Sequence, residues 1–468
     1  MAMVTIHTRF LFVKLFTNMT KYFGTDGIRG TFGDPLMCPD FAYLLADTIG
    51  DYLKKTRSKD AHCVLVGRDT RSSGVELSHA LIAGLNRHEI CVYYADILPT
   101  PAMARSIIEK QADFGIIVTA SHNPPCDNGI KLFDHRGLKL DNNEETLIES
   151  IFDNKESAIG DLPTANFFPF DACTPYVNHL KSLLSDNSLR DWHIVLDLAN
   201  GATYETTPAV FLNSDASLHI IGNYPNGENI NDGFGSECSE QLASTVLEQR
   251  ATIGIAHDGD GDRIVVCDER GVIVEGDIIL GLLGRYAMKA GLLRSSTLVA
   301  TIQSNLGLDQ ALRDVGAKVE RVEVGDRNVA KRMRELDSNI GGESSGHIIF
   351  SDYATTGDGL LAAIKIIEIM SLTGKALSEL SKEVILFPQL NHNIYVTQKL
   401  PLSQLKSLQS TVHRTESYFG DEGRVLIRYS GTEPKLRLLV EGRDKALVHK
   451  AMEEIKLAAI DDLDVIDS

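Results

Sequence analysis

Five short runs in this chain, Cys63-Val64-Leu65-Val66, Gly115-Ile116-Ile117-Val118, His193-Ile194-Val195-Leu196, Ile253-Gly254-Ile255-Ala256 and Leu298-Val299-Ala300, are apolar almost throughout instead of alternating with polar residues. A strand with one face in water alternates, so runs of this kind belong to strands buried on both faces, as in parallel sheets covered by helices. Helical patterns between the runs supply the crossovers that parallel neighbours require. The pattern therefore predicts an α/β layered architecture. It restarts three times, with breaks near residues 161–170, 271–277 and 387–388. The last segment differs in kind: a strand at 393–396, a helix after Pro401, adjacent strands at 425–428 and 436–440, and a helix over 445–459, together a small α+β module. A chain of 468 residues exceeds what one hydrophobic core supports. At roughly 100–200 residues per domain, three or four domains follow. The expected division is 19–168, 169–274, 275–388 and 389–468, with residues 1–18 as an extension.

A formal net charge of −18 argues against nucleic acid as a partner, because binding a phosphate backbone needs a basic face. A small anionic substrate remains compatible where Arg and Lys converge in one pocket. The seven cysteines are odd in number, widely spaced and without a Cys-x-x-Cys pair, which disfavours a disulfide framework or a zinc site and fits a reducing cytoplasm. Residues 1–18 carry Arg9 and Lys14, no acid, and the apolar Phe10-Leu11-Phe12-Val13, loosely like a targeting segment. That stretch is too short to span a bilayer, so no membrane partner is expected. Met19 stands directly before Thr20-Lys21-Tyr22, where folded-looking sequence begins, and translation from Met19 is the expectation.

Chemistry concentrates in loops that follow strands. Thr119-Ala120-Ser121-His122-Asn123-Pro124 comes straight after an apolar run, at the strand end where open α/β sheets bind ligands. Ser121 is there either a nucleophile or phosphate carrier, or part of a Ser/Asn-Pro turn without chemistry. Lys131, a few residues on, is a proton shuttle if its pKa is lowered, and otherwise a solvated lysine. Asp258-Gly259-Asp260-Gly261-Asp262-Arg263 places three carboxylates at alternate positions, with glycines that let the backbone curl around a hard cation. An EF-hand calcium loop is the rival, since Glu269 falls at its last ligand position. Arg263 stands where that loop needs Gly, and Ile264-Val265-Val266 reads as strand, so magnesium is preferred. Gly341-Gly342-Glu343-Ser344-Ser345-Gly346-His347 offers Glu343 and Ser345 to sugar hydroxyls and His347 as a proton carrier, or is a polar loop. Arg428-Tyr429-Ser430-Gly431-Thr432-Glu433-Pro434 is an anion nest or a bare hairpin loop. Gly24-Thr25-Asp26-Gly27-Ile28-Arg29-Gly30 and Gly67-Arg68-Asp69-Thr70-Arg71 put arginines in turns, facing phosphate or water.

In this order, from about Lys21 to the C-terminus, the strings resemble the α-D-phosphohexomutase superfamily. Thr25-Asp26-Gly27-Ile28-Arg29-Gly30, Val324-Gly325-Asp326-Arg327 and the glycine at 431 look like its amino-sugar branch. The resemblance implies three related α/β mixed-sheet domains plus a smaller α+β C-terminal domain around a central cleft, the fourth closing on substrate. It makes Ser121 the phosphoserine, which with Asp258, Asp260 and Asp262 holds one Mg²⁺ per subunit. It assigns Glu343 and Ser345 to the sugar, and Arg428, Ser430, Gly431 and Thr432 to the non-reacting phosphate. Arg29 and Arg263 would stabilise charge, His122 neighbours the carrier, and Lys131 or His347 would shuttle protons. The partners implied are sugar phosphates, a bisphosphorylated hexosamine or hexose as intermediate or activator, and a kinase or bisphosphate donor for Ser121, in a monomer or homodimer. Ser344 stands where amino-sugar members usually show Gln or Asn, and Asn328 where Tyr is common. The sugar therefore stays open between glucosamine phosphate and the mannose or glucose phosphates. A magnesium phosphatase would offer an Asp nucleophile, and a catalytically silent sugar-phosphate binder could lose Ser121.

Overall fold

The computed structural model describes residues 20–24, 26–57, 62–155, 162–184, 189–212, 214–430 and 433–466. The N-terminal extension, Thr25, Gly431 and Thr432 lie outside the described residues. Chain contacts separate two units, residues 20–385 and a unit that includes residues 386–468.

The larger unit contains three sheets built on one plan. In the first, the neighbouring strands are Ile28–Thr31, Asp127–Asp134, Phe114–Val118, Cys63–Arg68, Cys91–Ile97 and Phe168–Pro169. Cys63–Arg68 runs parallel to both Phe114–Val118 and Cys91–Ile97, whereas Asp127–Asp134 returns antiparallel to Phe114–Val118. The second sheet orders Ile273–Val274, Ile264–Cys267, Ile253–His257, His193–Asp197 and Ser217–Ile221, again with a parallel core and an antiparallel edge. The third orders Lys318–Val322, Thr297–Thr301, Ile340–Gly342 and Ile348–Phe350, and only the last pair is antiparallel. The fully apolar runs are the central strands: every residue of Phe114–Val118, Ile253–His257 and Thr297–Thr301 is buried. The parallel core expected from those runs is present, and each sheet adds an antiparallel hairpin that makes it mixed.

That hairpin positions the chemistry. In each sheet the last parallel strand turns back on itself, and the turn is one of the three loops singled out above: residues 119–126, 258–263 and 343–347. The segment leading to Asp26 and Arg29 is pinned by Glu149 of the helix Asn142–Phe152, whose carboxylate accepts the backbone N–H groups of Lys21 (2.8 Å), Tyr22 (2.6 Å) and Phe23 (3.1 Å). That helix starts on a capping box, Asp141 with Glu144, which satisfies N–H groups otherwise orphaned at a helix start.

In the C-terminal unit, Gln389–Tyr395, Lys435–Gly442 and Gly423–Tyr429 form an antiparallel sheet in that order. The helices Lys406–Phe419 and Lys445–Asp462 bury Leu408, Val448 and Ile455 with Ile394, Leu436, Leu438 and Val440. Gly423–Tyr429 and Lys435–Gly442 are antiparallel neighbours, with Ser430 following the first of them. Among the described residues no helix is long and apolar enough to cross a membrane. Among the described residues no disulfide joins the cysteines.

Candidate active site

Ser121 sits three residues beyond the end of the strand Phe114–Val118, with φ at +53°, a left-handed conformation that costs a non-glycine residue energy. Its surroundings hold it there. The N–H of Ser121 donates to Thr119 Oγ1 at 3.0 Å, while its carbonyl accepts Asn231 Nδ2 at 2.8 Å and the Arg71 guanidinium at 3.2 Å. Arg71 is fully buried and also donates to the carbonyls of Asn123, Pro124 and Asp127, with Asp69 as counter-ion at 2.9 Å. The sequence offered this arginine as facing phosphate or water; the fold spends its two terminal nitrogens on the turn and its Nε on Asp69. The neighbouring loop comes so close that a Cβ on Gly259 would lie 2.5 Å from the Ser121 carbonyl oxygen, hence a glycine there. The Ser121 hydroxyl, 1% exposed, donates to Asp258 Oδ2 at 2.5 Å and lies 3.3 Å from His122 Nδ1.

Asp258, Asp260 and Asp262 are buried, with one carboxylate oxygen from each lying within 4.8 Å of the others. Burial, reinforced by the carboxylates of Asp260 and Asp262, pushes the Asp258 carboxyl well above its usual range. Oδ1 of Asp260 and Oδ1 of Asp262 are buried without a hydrogen-bond partner among the described residues. Orphaned, converging, anionic oxygens are what a hard divalent cation needs, so the donor set fits magnesium or a similar ion. The calcium-loop alternative does not hold, because the Glu269 carboxylate accepts the Ser378 hydroxyl at 2.5 Å instead of joining the triad.

Lys131 approaches from the antiparallel strand Asp127–Asp134, its Nζ 2.7 Å from Asp260, 3.1 Å from Asp26 and 3.4 Å from Asp262. Burial opposes the charge, but the carboxylates of Asp26, Asp260 and Asp262 outweigh it and hold the pKa well above the ordinary lysine value. A lowered pKa, the condition on which the sequence made Lys131 a shuttle, is thus reversed in direction. Asp26 also receives Arg29 at 2.6 Å and pairs with Lys139, whose ammonium bridges to Asp326 at the start of the helix Asp326–Leu336. Asp326 Oδ2 lies 3.5 Å and Asp262 Oδ2 3.9 Å from His347 Nε2, and neither ring nitrogen of this buried histidine has a hydrogen bond among the described residues. A Cβ on Gly357 would lie 2.4 Å from that Nε2, so glycine there makes room for the ring.

Arg263 donates its N–H to Asp258 Oδ1 at 3.2 Å, while its buried Nε has no hydrogen bond among the described residues. His122, desolvated and near the Arg263 guanidinium, has its pKa lowered and is biased to the neutral imidazole. The fold thus gathers Ser121, His122, Lys131, Arg29, Arg263, His347 and the three aspartates. Glu343, half-buried, accepts the Gly325 N–H at 3.0 Å, and Ser345 is exposed on the same turn. In the C-terminal unit the buried Ser430 has its carbonyl held by Lys399 at 2.7 Å and its hydroxyl 3.4 Å from Arg437; Arg428 is on the preceding strand. Sequence reasoning gave no role to Lys139, Asp26, Asp326, Thr100 (which donates to Asp260 at 2.6 Å), Asn231, Lys399 or Arg437. Asp26 and Asp326 did lie within recognised strings; Lys139 carried no local signal.

Four family models match in succession: Phosphoglucomutase/phosphomannomutase alpha/beta/alpha domain I over residues 20–159, domain II over 174–271, domain III over 275–386, and the C-terminal domain over 392–458. The phosphoglucosamine mutase of Oceanobacillus iheyensis is 42% identical over 431 residues, 91% of this chain and 96% of the relative. That of Halalkalibacterium halodurans is 42% identical over 446 residues, 94% and 99%. Among solved structures, a phosphoglucomutase/phosphomannomutase family protein from Burkholderia thailandensis matches with a TM-score of 0.79 at 22% identity, covering 96% of this chain and 100% of that one. An N-acetylphosphoglucosamine mutase from Aspergillus fumigatus, solved with GlcNAc-6P and magnesium, matches at 0.64 and 16% identity over 95% and 96%. At these identities the structures share the fold.

Proposed function

Because this chain belongs to the phosphoglucosamine mutase family, we propose that it interconverts glucosamine 6-phosphate and glucosamine 1-phosphate by passing a phosphoryl group through Ser121, supplying nucleotide-sugar and cell-wall precursor synthesis from the reducing cytoplasm. The observation that carries the reading is the Ser121 hydroxyl, on a strained turn, 2.5 Å from an aspartate whose two companions present unpartnered oxygens.

In the proposed cycle, phosphorylated Ser121 gives its phosphoryl group to a hydroxyl of the sugar phosphate, whose proton leaves to a site base, and a bisphosphate results. The bisphosphate reorients and returns its other phosphoryl group to Ser121, so no phosphate is consumed. Asp258, Asp260, Asp262 and the Ser121 oxygen would hold Mg²⁺, which supplies charge neutralisation at the phosphoryl oxygens. Arg263, with its unpartnered Nε, and Arg29, steadied by Asp26, bring positive charge to the same place. Lys131, held as an ammonium by three carboxylates, keeps its proton and adds positive charge beside the metal-binding aspartates. His347, with both ring nitrogens free of hydrogen bonds among the described residues, exchanges the sugar proton. Glu343 and Ser345 receive the sugar hydroxyls, and the loop of Arg428, Ser430, Gly431 and Thr432 receives the non-reacting phosphate. Ser121 is only 1% exposed, which favours a bisphosphorylated sugar over a protein kinase as its first donor.

Ser121→Ala is expected to abolish conversion in a coupled assay while circular dichroism stays that of the parent; full activity in the variant refutes the assignment. Comparing kcat/KM for glucosamine, mannose and glucose 6-phosphates tests the sugar, and a preference for either hexose would move the reading to phosphomannomutase/phosphoglucomutase.

A further inference from the structure

Outside the site around Ser121, a cavity of about 380 Å³ opens between the turn after the strand Asp127–Asp134 and the far end of the helix Asp326–Leu336. Arg136, Arg294 and Arg334 line it, with Asp337, Ser351 and Thr355. Arg136 is committed to Asp134, its Nε donating at 2.7 Å, and Arg294 faces Asp352 at 3.1 Å and Asp337 at 3.4 Å. The Arg334 side chain makes no hydrogen bond or ion pair among the described residues. Burial, and then the neighbouring Arg136 guanidinium, lower the proton affinity of Arg334, while the Asp134 and Glu335 carboxylates act the other way.

Arg136 and Arg294 bring their own carboxylates, Asp134, Asp337 and Asp352, so Arg334 is the guanidinium left without an ion pair in the cavity. Arginine forks match phosphate oxygens two at a time, which a lysine or a lone helix end does not. The volume falls within the roughly 300–1,000 Å³ of small-molecule pockets. Arg334 lies in the last turn of its helix, where the backbone dipole opposes an anion. Affinity there would come from the guanidinium groups and vanish with them.

We propose that this cavity binds a small phosphate dianion or phosphate monoester, gripped by Arg334 and Arg136 with Arg294 at the rim, at a site separate from the phosphoryl-transfer centre. A narrower void lined by Lys139 and Asp326 shares Arg334 and Thr355 with the cavity. The ligand would therefore join the turn bearing Arg136 to the helix that carries Asp326, the residue facing His347.

The test is calorimetric titration of the full-length protein at low ionic strength with inorganic phosphate and, separately, with glycerol 3-phosphate. The Arg136→Ala/Arg334→Ala double variant is titrated alongside. Two classes of site are expected in the parent, and one of them should weaken at least tenfold in the variant, with basal mutase kcat and KM unchanged. Arginine Nε–H NMR signals provide a second readout: the signal missing in Arg334→Ala should be among those that move on titration of the parent. Tighter binding of the ester identifies a metabolite, and equal or tighter binding of phosphate identifies the free ion; both support the site. Identical isotherms for parent and double variant, with an immobile Arg334 signal, would overturn it.

Discussion

Lys139 is 9% exposed and bridges two carboxylates, one on the segment that carries Arg29 and one at the start of the helix that faces His347. The same Asp26 touches Arg29, Lys131 and Lys139, so three cations share one counter-ion. Lys139→Met would leave Asp26 and Asp326 without that bridge, and removal of one partner from a buried ion pair costs about 3–5 kcal/mol. Because Asp26 and Asp326 orient Arg29, Lys131 and His347, kcat should fall about a hundredfold, the scale of a roughly 1 Å misplacement, with a smaller change in KM. Steady-state kinetics on the folded variant check this, with Lys139→Arg expected to recover part of the loss. An unchanged kcat would remove Lys139 from the positioning network. Nothing local in the sequence marks this residue. Its partners are 113 and 187 positions away, and only the folded chain brings them together. Ser121 and the aspartates were legible because nucleophile and ligands sit within single short strings, each following an apolar strand that fixes where the string emerges.

Elements explain why three unrelated strings become loops of the same kind. Each lies in the turn of an antiparallel hairpin at the end of a parallel core strand. The apolar runs announced the core strands; the antiparallel return was not visible in periodicity, because Asp127–Asp134 is itself almost wholly buried and shows no alternation. The helix Gly359–Thr373 shows how a buried element carries a titrating cap. Asp358 accepts the Leu361 N–H and the Tyr176 hydroxyl, both at 2.9 Å and both on Oδ1, and burial raises its pKa to about 6 from 3.8. The folded state keeps this proton up to about pH 6, while the unfolded chain releases it near 3.8. Stability from this group is therefore greatest at the acid end and falls as pH rises through that window. Asp358→Asn keeps the Oδ1 acceptor and has no charge to desolvate. Unfolding free energies at pH 4.5 and 7 should differ less in the variant, by about 2 kcal/mol. An identical pH dependence in parent and variant would contradict the raised pKa.

For the whole molecule, the buried triad makes metal a partner of folding as well as of chemistry. Three carboxylates this close repel unless a cation or protons compensate, and Lys131 offsets only part of that charge. Chelation should abolish turnover and lower the thermal midpoint, and magnesium should restore both. A ligand present at a hundred times its Kd adds about 2.7 kcal/mol of stability. In Asp260→Asn the midpoint should respond to magnesium far less, so an undiminished response there would place the ion elsewhere. The central claim is that the phosphoryl group resides on Ser121 during turnover. Its most direct test is intact-mass analysis, with peptide mapping, of protein incubated with glucosamine 1,6-bisphosphate and magnesium. The expected result is one added phosphoryl group on the peptide containing Ser121, lost on addition of sugar monophosphate and absent from Ser121→Ala; a phosphoryl group on any other residue, or full turnover with Ser121 never labelled, would contradict it.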